Sequence, residues 1–299
     1  MTEFPVSGHA STAASPLSPD YVAIGHVTRD VVADGYTVGG TVTYAGLTAA
    51  ALGLRVGVVT SAGPDIDLGF CLPGLQTRVH PAATPTTFEN IYQNGHRDQW
   101  LRATASPLSA QVIPASWRNA PIVHVAPLVG EIGPDVIEAI LRSHFVAVTP
   151  QGWLRRWESD GFVRRQRWND AETVLSHCHA AVLSIEDIDG DWSEAYRYAA
   201  IVPTLAVTRG AEGCDVFHHG KRIHAAAFPT VEVDATGAGD VFAAAFFIHL
   251  AKTNVPIEAA HYANCVASFA VERPGISGIP TARQVLERLA HNSRTVQIA

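Results

Sequence analysis

Gly237-Ala238-Gly239-Asp240 lies within the stretch TVEVDATGAGDVFAAAFFIHL, residues 230–250, and it is where this chain could do chemistry. Glycines let a backbone come close to a phosphate. The first N–H groups of a helix have no partner inside it, and the helix dipole leaves partial positive charge there. A glycine turn that opens a helix therefore binds anions. Asp240 does not suit plain phosphate binding, because its carboxylate repels the ligand. It does suit a general base that takes the proton from a hydroxyl attacking a phosphate. Asp is also a favoured N-cap, so the spacing alone leaves cap and catalyst both open.

The flanking residues must place this turn. Val231, Glu232, Val233 and Asp234 alternate apolar and polar, which predicts a strand. Residues 241–251 are almost wholly apolar, rich in alanine and free of Gly and Pro, which predicts a buried helix. Further upstream, apolar strand-like runs recur at Asp20–Gly25, Val56–Ser61, Ile122–Ala126, Phe145–Thr149, Ala180–Ser184 and Thr204–Thr208. Helical patterns stand between several of them, as at Pro134–Ser143. Amphipathic helices follow at Ile257–Glu272 and Thr281–Ala290. Strand alternating with helix predicts an α/β fold with a mostly parallel sheet covered on both faces. Residues 84–100 read as a hairpin turning at Asn94-Gly95, and residues 68–81 as irregular.

The segment Asp234-Ala-Thr-Gly-Ala-Gly-Asp240 resembles the DTGAGD signature of the ribokinase-like family, the PfkB carbohydrate kinases, with Ala235 as a departure. The resemblance implies a doubly wound, mostly parallel sheet with helices on both faces, and a small β lid formed by segments about 35–43 and 84–102. It makes Asp240 the general base, and Gly237, Ala238 and Gly239 the anion hole. Asp30, Gly39 and Gly40 then hold the acceptor, with Tyr44 where many members have Asn. The hairpin adds Thr87, Glu89, Asn90 and Tyr92 as candidates on the acceptor side. Thr208, Gly210 and Gly213 match the family's Thr-x-Gly-x-x-Gly turn beside the nucleotide phosphates, and Asn264 is the adenine-side candidate. Ser184 and Asp187 stand where the family has Asn and Glu to organise magnesium, with Glu186 as a fallback. An N-terminal capping role for Ser184 and Asp187 is the plainer alternative. Backbone carbonyls near Asp234 are where relatives bind a monovalent cation such as K+. The implied activity is phosphoryl transfer from ATP, with Mg2+, to a hydroxyl of a sugar, cyclitol or nucleoside. The segment Thr86–Tyr92 is similar to inositol kinase-like members. The changed positions Tyr44, Ser184 and Asp187 keep a catalytically weak binding relative as an alternative.

Composition narrows the partners. The 299 residues carry a net charge of −7, which argues against general affinity for nucleic acid or anionic membrane. Residues 151–168 interleave five arginines with three tryptophans, a pattern read here as surface packing of arginine stems on rings. The four cysteines are far apart, which predicts no disulfide framework and a cytoplasmic setting. Residues 1–19, rich in Ser, Ala, Thr and Pro, predict a disordered tail ahead of a kinase domain at 20–299. The histidines show no metal-ligand spacing and read mostly as surface or loop residues. The lid of some relatives pairs between subunits, so a homodimer through the lid is a further expectation. A nicotinamide dehydrogenase is a poor fit, since no Gly-x-Gly-x-x-Gly follows the first strand.

Overall fold

The computed structural model describes residues 18–32, 35–93 and 96–296. The expected tail lies almost wholly outside the described residues, and so does the expected Asn94-Gly95 turn. Among the described residues the strands are β1 Tyr21–Ile24, β2 Thr28–Val32, β3 Gly35–Gly39, β4 Val56–Ala62, β5 Gln76–Pro81, β6 Thr86–Gln93, β7 His96–Ala103, β8 Ile122–Val125, β9 Phe145–Val148, β10 Arg155–Trp157, β11 Val163–Arg165, β12 Ala180–Ser184, β13 Thr204–Thr208, β14 Cys214–His218 and β15 Lys221–Ala225. The helices are α1 Thr41–Ala51, α2 Leu68–Cys71, α3 Pro134–Ile140, α4 Ala171–Leu175, α5 Trp192–Ala199, α6 Ala238–Thr253, α7 Pro256–Ala270 and α8 Ala282–Val296.

Nine strands form the main sheet in the order β15-β14-β13-β12-β9-β8-β1-β4-β5. From β13 to β5 they run parallel, and the β14–β15 hairpin is antiparallel at one edge. The central strands are buried on both faces, which is why they read as continuous apolar runs. Val22 and Ile24 face one layer, with Val136 and Ile140 of α3, Leu175 of α4 and Tyr198 of α5. Tyr21 and Ala23 face the other, with Val42 and Ala45 of α1 and Ala244 of α6. The fold is the expected doubly wound α/β sheet.

β1 has β4 on one side and β8 on the other, so the strand order reverses there. A crevice at the carboxyl end of such a reversal is where open α/β sheets bind ligands. The chain leaves the main sheet at that edge. After Ile24 it enters a separate four-stranded sheet, ordered β3-β2-β6-β7, which is the lid. Asp30, the expected acceptor contact, sits in β2, a lid strand, opposite Thr37 and Phe88.

Three further expectations are corrected. Residues 231–234 form no strand, and Val231 and Val233 are 79% and 61% exposed. The Val233 N–H donates to Val271 O (2.7 Å) at the end of α7, where a strand neighbour would otherwise be. Residues 68–81 are not irregular throughout, because β5 forms the sheet edge there. His26 and His124 are fully buried rather than at the surface. Burial pushes the His124 imidazole down to about 3, and its two nitrogens bond Tyr21 Oη (2.7 Å) and Thr149 Oγ1 (3.0 Å).

Candidate active site

Helix α6 carries the glycine turn at its start. Its alanine-rich body lies between α7 and α1 and against β8 and β12, so nearly every face from Val241 to Phe247 is buried. The N-cap is Gly237, with φ 76° and ψ −1°, a left-handed conformation that costs an L side chain about 1–2 kcal/mol. Asp240 is the third helical residue and not the cap, which removes the plainer of its two readings. The N–H of Ala238 donates back to Ala235 O (3.1 Å), and that of Val241 to Gly237 O (2.9 Å). Gly239 is exposed.

Tyr44, expected on the acceptor side, is 5% exposed in the core between α1 and α6, and a side chain at Gly237 would overlap its ring. The aromatic thus fills the space behind the turn. Asp234 is equally committed. Its Oδ1 accepts the Thr236 N–H (2.9 Å) and its Oδ2 the Gly275 N–H (2.9 Å). The carboxylate staples the stretch before the turn to the loop after α7. Burial alone would raise its pKa, but the bonds from Thr236 and Gly275 outweigh that and hold the carboxyl below its ordinary 3.8. The stability this carboxylate supplies is therefore complete above its unfolded pKa and is lost as pH falls through the lower folded value. Asp234→Asn should flatten the fall in melting temperature between about pH 4 and about pH 2, a change read by thermal melts of both proteins across that range.

Asp30 faces the glycine pair at the base of the lid. A Cβ on Gly39 would meet the Asp30 carboxylate, and one on Gly40 would meet His26 O. Thr28 Oγ1 donates to Asp30 Oδ1 (3.3 Å). Gly40 then caps α1, so the acceptor-side pair and Tyr44 share one helix end. Glu89 and Asn90 are drawn into the hairpin itself. Arg102 pairs with Glu89 (2.6 Å), and Gln99 Nε2 donates to Asn90 Oδ1 (2.8 Å). Adjacent strand residues face opposite ways, so these two do not serve one pocket. Thr87 Oγ1 donates to Pro85 O (3.0 Å) and accepts from Arg29 Nε (3.3 Å).

The lid's attachment was not legible as function. His26 Nδ1 meets Thr86 Oγ1 (2.7 Å) and its Nε2 meets Ser106 O (3.0 Å), so one imidazole ties together three of the four chain crossings between sheet and lid. Glu131, 3% exposed, accepts the N–H groups of His26 (3.1 Å), Leu128 (2.9 Å) and Val129 (2.8 Å). At the rim, Arg29 pairs with Asp65 (2.5 Å), and Tyr36 Oη donates to Asp65 O (3.1 Å). A histidine directly after the first strand was the one available signal; nothing marked Glu131.

On the opposite side, Thr208, Gly210 and Gly213 form the turn between β13 and β14. Gly210 and Gly213 both have positive φ, and a side chain at Gly213 would strike Ala225 O. Asn264 is buried, and its Nδ2 donates to Ala225 O (3.0 Å) and Ala226 O (3.1 Å). It ties the chain after β15 to α7. Ser184 and Asp187 form a capping box: Asp187 Oδ2 accepts the Ser184 N–H (2.9 Å) and Ser184 Oγ the Glu186 N–H (3.2 Å). Gln151 Nε2 donates to Asp187 Oδ1 (3.3 Å), and Glu186 is exposed. Among the described residues no group of three or more His, Cys, Asp or Glu could hold a metal on its own.

Residues 169–282 match the pfkB family carbohydrate kinase model. An inositol 3-kinase of Zea mays is 30% identical over 153 residues, covering 49% of this chain and 39% of that protein. The matched region thus spans under half the length of the curated relatives, the inositol 3-kinase of Oryza sativa subsp. japonica included at 42%. A pyrophosphate-dependent kinase of the ribokinase family, complexed with a pyrophosphate analog and myo-inositol, superposes with a TM-score of 0.75 at 24% identity, over 89% of this chain and 99% of that one. Arabidopsis thaliana ribokinase, complexed with ribose and ATP, gives 0.68 at 18% identity, over 91% and 98%. At such identities the superpositions establish the fold. Residues 169–282 thus carry the pfkB family carbohydrate kinase pattern, and the chain as a whole has the fold of ribokinase-family structures.

Proposed function

We propose that this protein transfers a phosphoryl group to a hydroxyl of a small unphosphorylated polyol, with Asp240 as the general base. The observation that carries the reading is the place of Asp240. It lies in the first turn of α6, beyond a glycine cap, so its carboxylate is not needed to close the helix. The acceptor lies under the lid, its hydroxyls bonded by Asp30 beside Gly39 and Gly40. Asp240 accepts the proton of the attacking hydroxyl. The N–H groups of Gly239 and Asp240 stabilise the negative oxygens of the transferring group, since that of Ala238 is held by Ala235 O. The lid excludes water that would otherwise take the phosphate. The inositol 3-kinase relatives and the myo-inositol complex among the neighbours favour a cyclitol acceptor.

The donor follows the same logic. Exposed Val233 and Ile276 flank the stapled loops and offer an apolar ledge to a nucleobase, which supports ATP. Magnesium fits as an ion brought in on the donor's phosphates. It keeps several waters and needs few protein ligands, and each Asp187 oxygen retains a lone pair for such a water. Bound there, it would offset phosphate charge. K+ would rest on backbone carbonyls around residues 234 and 275, the two segments that the Asp234 carboxylate holds together. A pyrophosphate donor is the second reading. Asn264, the candidate base contact, is turned onto Ala225 and Ala226, and a solved neighbour is pyrophosphate-dependent. The test supplies ATP or pyrophosphate with Mg2+, with and without K+, across a panel of sugars, cyclitols and nucleosides. Acceptor-dependent ADP or orthophosphate release identifies donor and acceptor together. Release with neither donor on any acceptor would overturn the reading in favour of a binding relative without turnover.

A further inference from the structure

The Arg- and Trp-rich stretch 151–168 plays no part in that reaction, yet it touches both ends of the cleft. Its strands β10 and β11 form a ribbon apart from both larger sheets. The tip of the ribbon lies along lid strand β7. Phe162 bridges Trp100 in antiparallel fashion, their rings edge to face at 5.1 Å. The Leu101 N–H donates to Gly161 O (2.8 Å), and Arg102 Nη1 donates to Asp160 O (3.4 Å). Gly161 has φ +84°, and a side chain there would strike Leu101 O. The root of the ribbon grips the other side of the cleft. Gln151 bonds Asp187, and Arg165 lies 3.7 Å from Asp189 and 3.9 Å from Asp191. Trp153 stacks on Trp168 at 4.9 Å, and Trp168 meets the tilted ring of Tyr198 of α5 at 5.7 Å, so the root is held by packed rings.

We infer that ribbon 151–168 is a strut that couples the lid over the acceptor to the donor-side loop 184–191, with Gly161, Phe162, Gln151 and Arg165 as positioning residues. A contiguous element that grips two sites biases both when either is filled, and the coupling between them is reciprocal. A plain edge cover for β7 would need the contacts at residues 160–162 and nothing at Asp187. The Gln151 and Arg165 contacts at the far end are what distinguish a strut from a cover. The inference rests on the kinase reading for what fills each site.

Hydrogen exchange tests it without knowledge of the acceptor. The probes are Mg2+ with a non-hydrolysable ATP analogue, and Mg2+ with methylenediphosphonate, each shown to bind by calorimetry. In the wild type either bound probe should slow exchange of lid amides in segments 28–32 and 86–93 by about fivefold or more, the lower range of ordinary coupling. Gly161→Ala, which forces the tip off Leu101, should bind the probe within twofold and lose that lid protection. Arg165→Gln cuts the other end and should do the same; it carries the test if Gly161→Ala does not fold. Lid protection that survives in a folded variant, or that is missing in a wild type which turns over, overturns the strut and leaves the kinase reading standing. Failure of both probes to bind a wild type without turnover overturns the two together.

Discussion

Asp240→Asn should lower acceptor-dependent turnover by about a hundred- to ten-thousandfold, the range supplied by a positioned proton acceptor. Binding of donor and acceptor should change little, because the amide keeps the size of the carboxylate. The melting temperature should move only slightly. Gly237, not Asp240, closes the helix, and a first-turn charge contributes about 0.3–1 kcal/mol. Turnover numbers beside thermal melts separate the two effects. A variant that keeps more than a tenth of the wild-type rate would remove Asp240 as the base. A variant that unfolds would return it to a structural role.

Gly237→Ala should have the second-largest effect, and on both rate and stability. A side chain there must adopt φ 76°, costing about 1–2 kcal/mol. It must also displace the Tyr44 ring, an overpacking that costs about 1–3 kcal/mol. Together these should lower the melting temperature by roughly 3–8 °C. The turn would also shift against the transferring phosphate, where a displacement of about 1 Å costs roughly a hundredfold in rate. Adding Tyr44→Ala should relieve the overlap and leave the backbone strain, so the double variant should recover part of the loss. Wild-type stability in Gly237→Ala would contradict the close approach of Tyr44 to the turn.

The parts of this molecule legible in its sequence are those whose burial is complete. Residues 241–247 are apolar on every side because that part of α6 is enclosed by two helices and the sheet. The central strands read as apolar runs for the same reason. Alternation at 231–234 misled because a period of two reports a strand only where a neighbour accepts its hydrogen bonds, and here the N–H of Val233 goes to a helix end. Polar residues were harder still. Asp187, Asn264, Glu89 and Asn90 have the types that ligands need, but those types also serve caps, clamps and cross-strand pairs. Each proved to have a protein partner. Asp30 lies in lid strand β2, with its carboxylate where a side chain on Gly39 would stand.

The lid is woven from two separate excursions of the chain, and this sets an order of assembly. β6 and β7 are a local hairpin, able to form early. β2 and β6 join in parallel across partners 58 residues apart, such as Arg29 and Thr87. That junction cannot close until β4 and β5 have carried the chain out along the main sheet and back. Loop closure over such a distance is slow relative to hairpin formation. A nascent chain will therefore present the β6–β7 hairpin with Trp100 unsheltered until ribbon 151–168 has emerged to receive it. Synthesis past residue 168, and not past the lid itself, is the point at which the lid becomes safe from stray strand pairing.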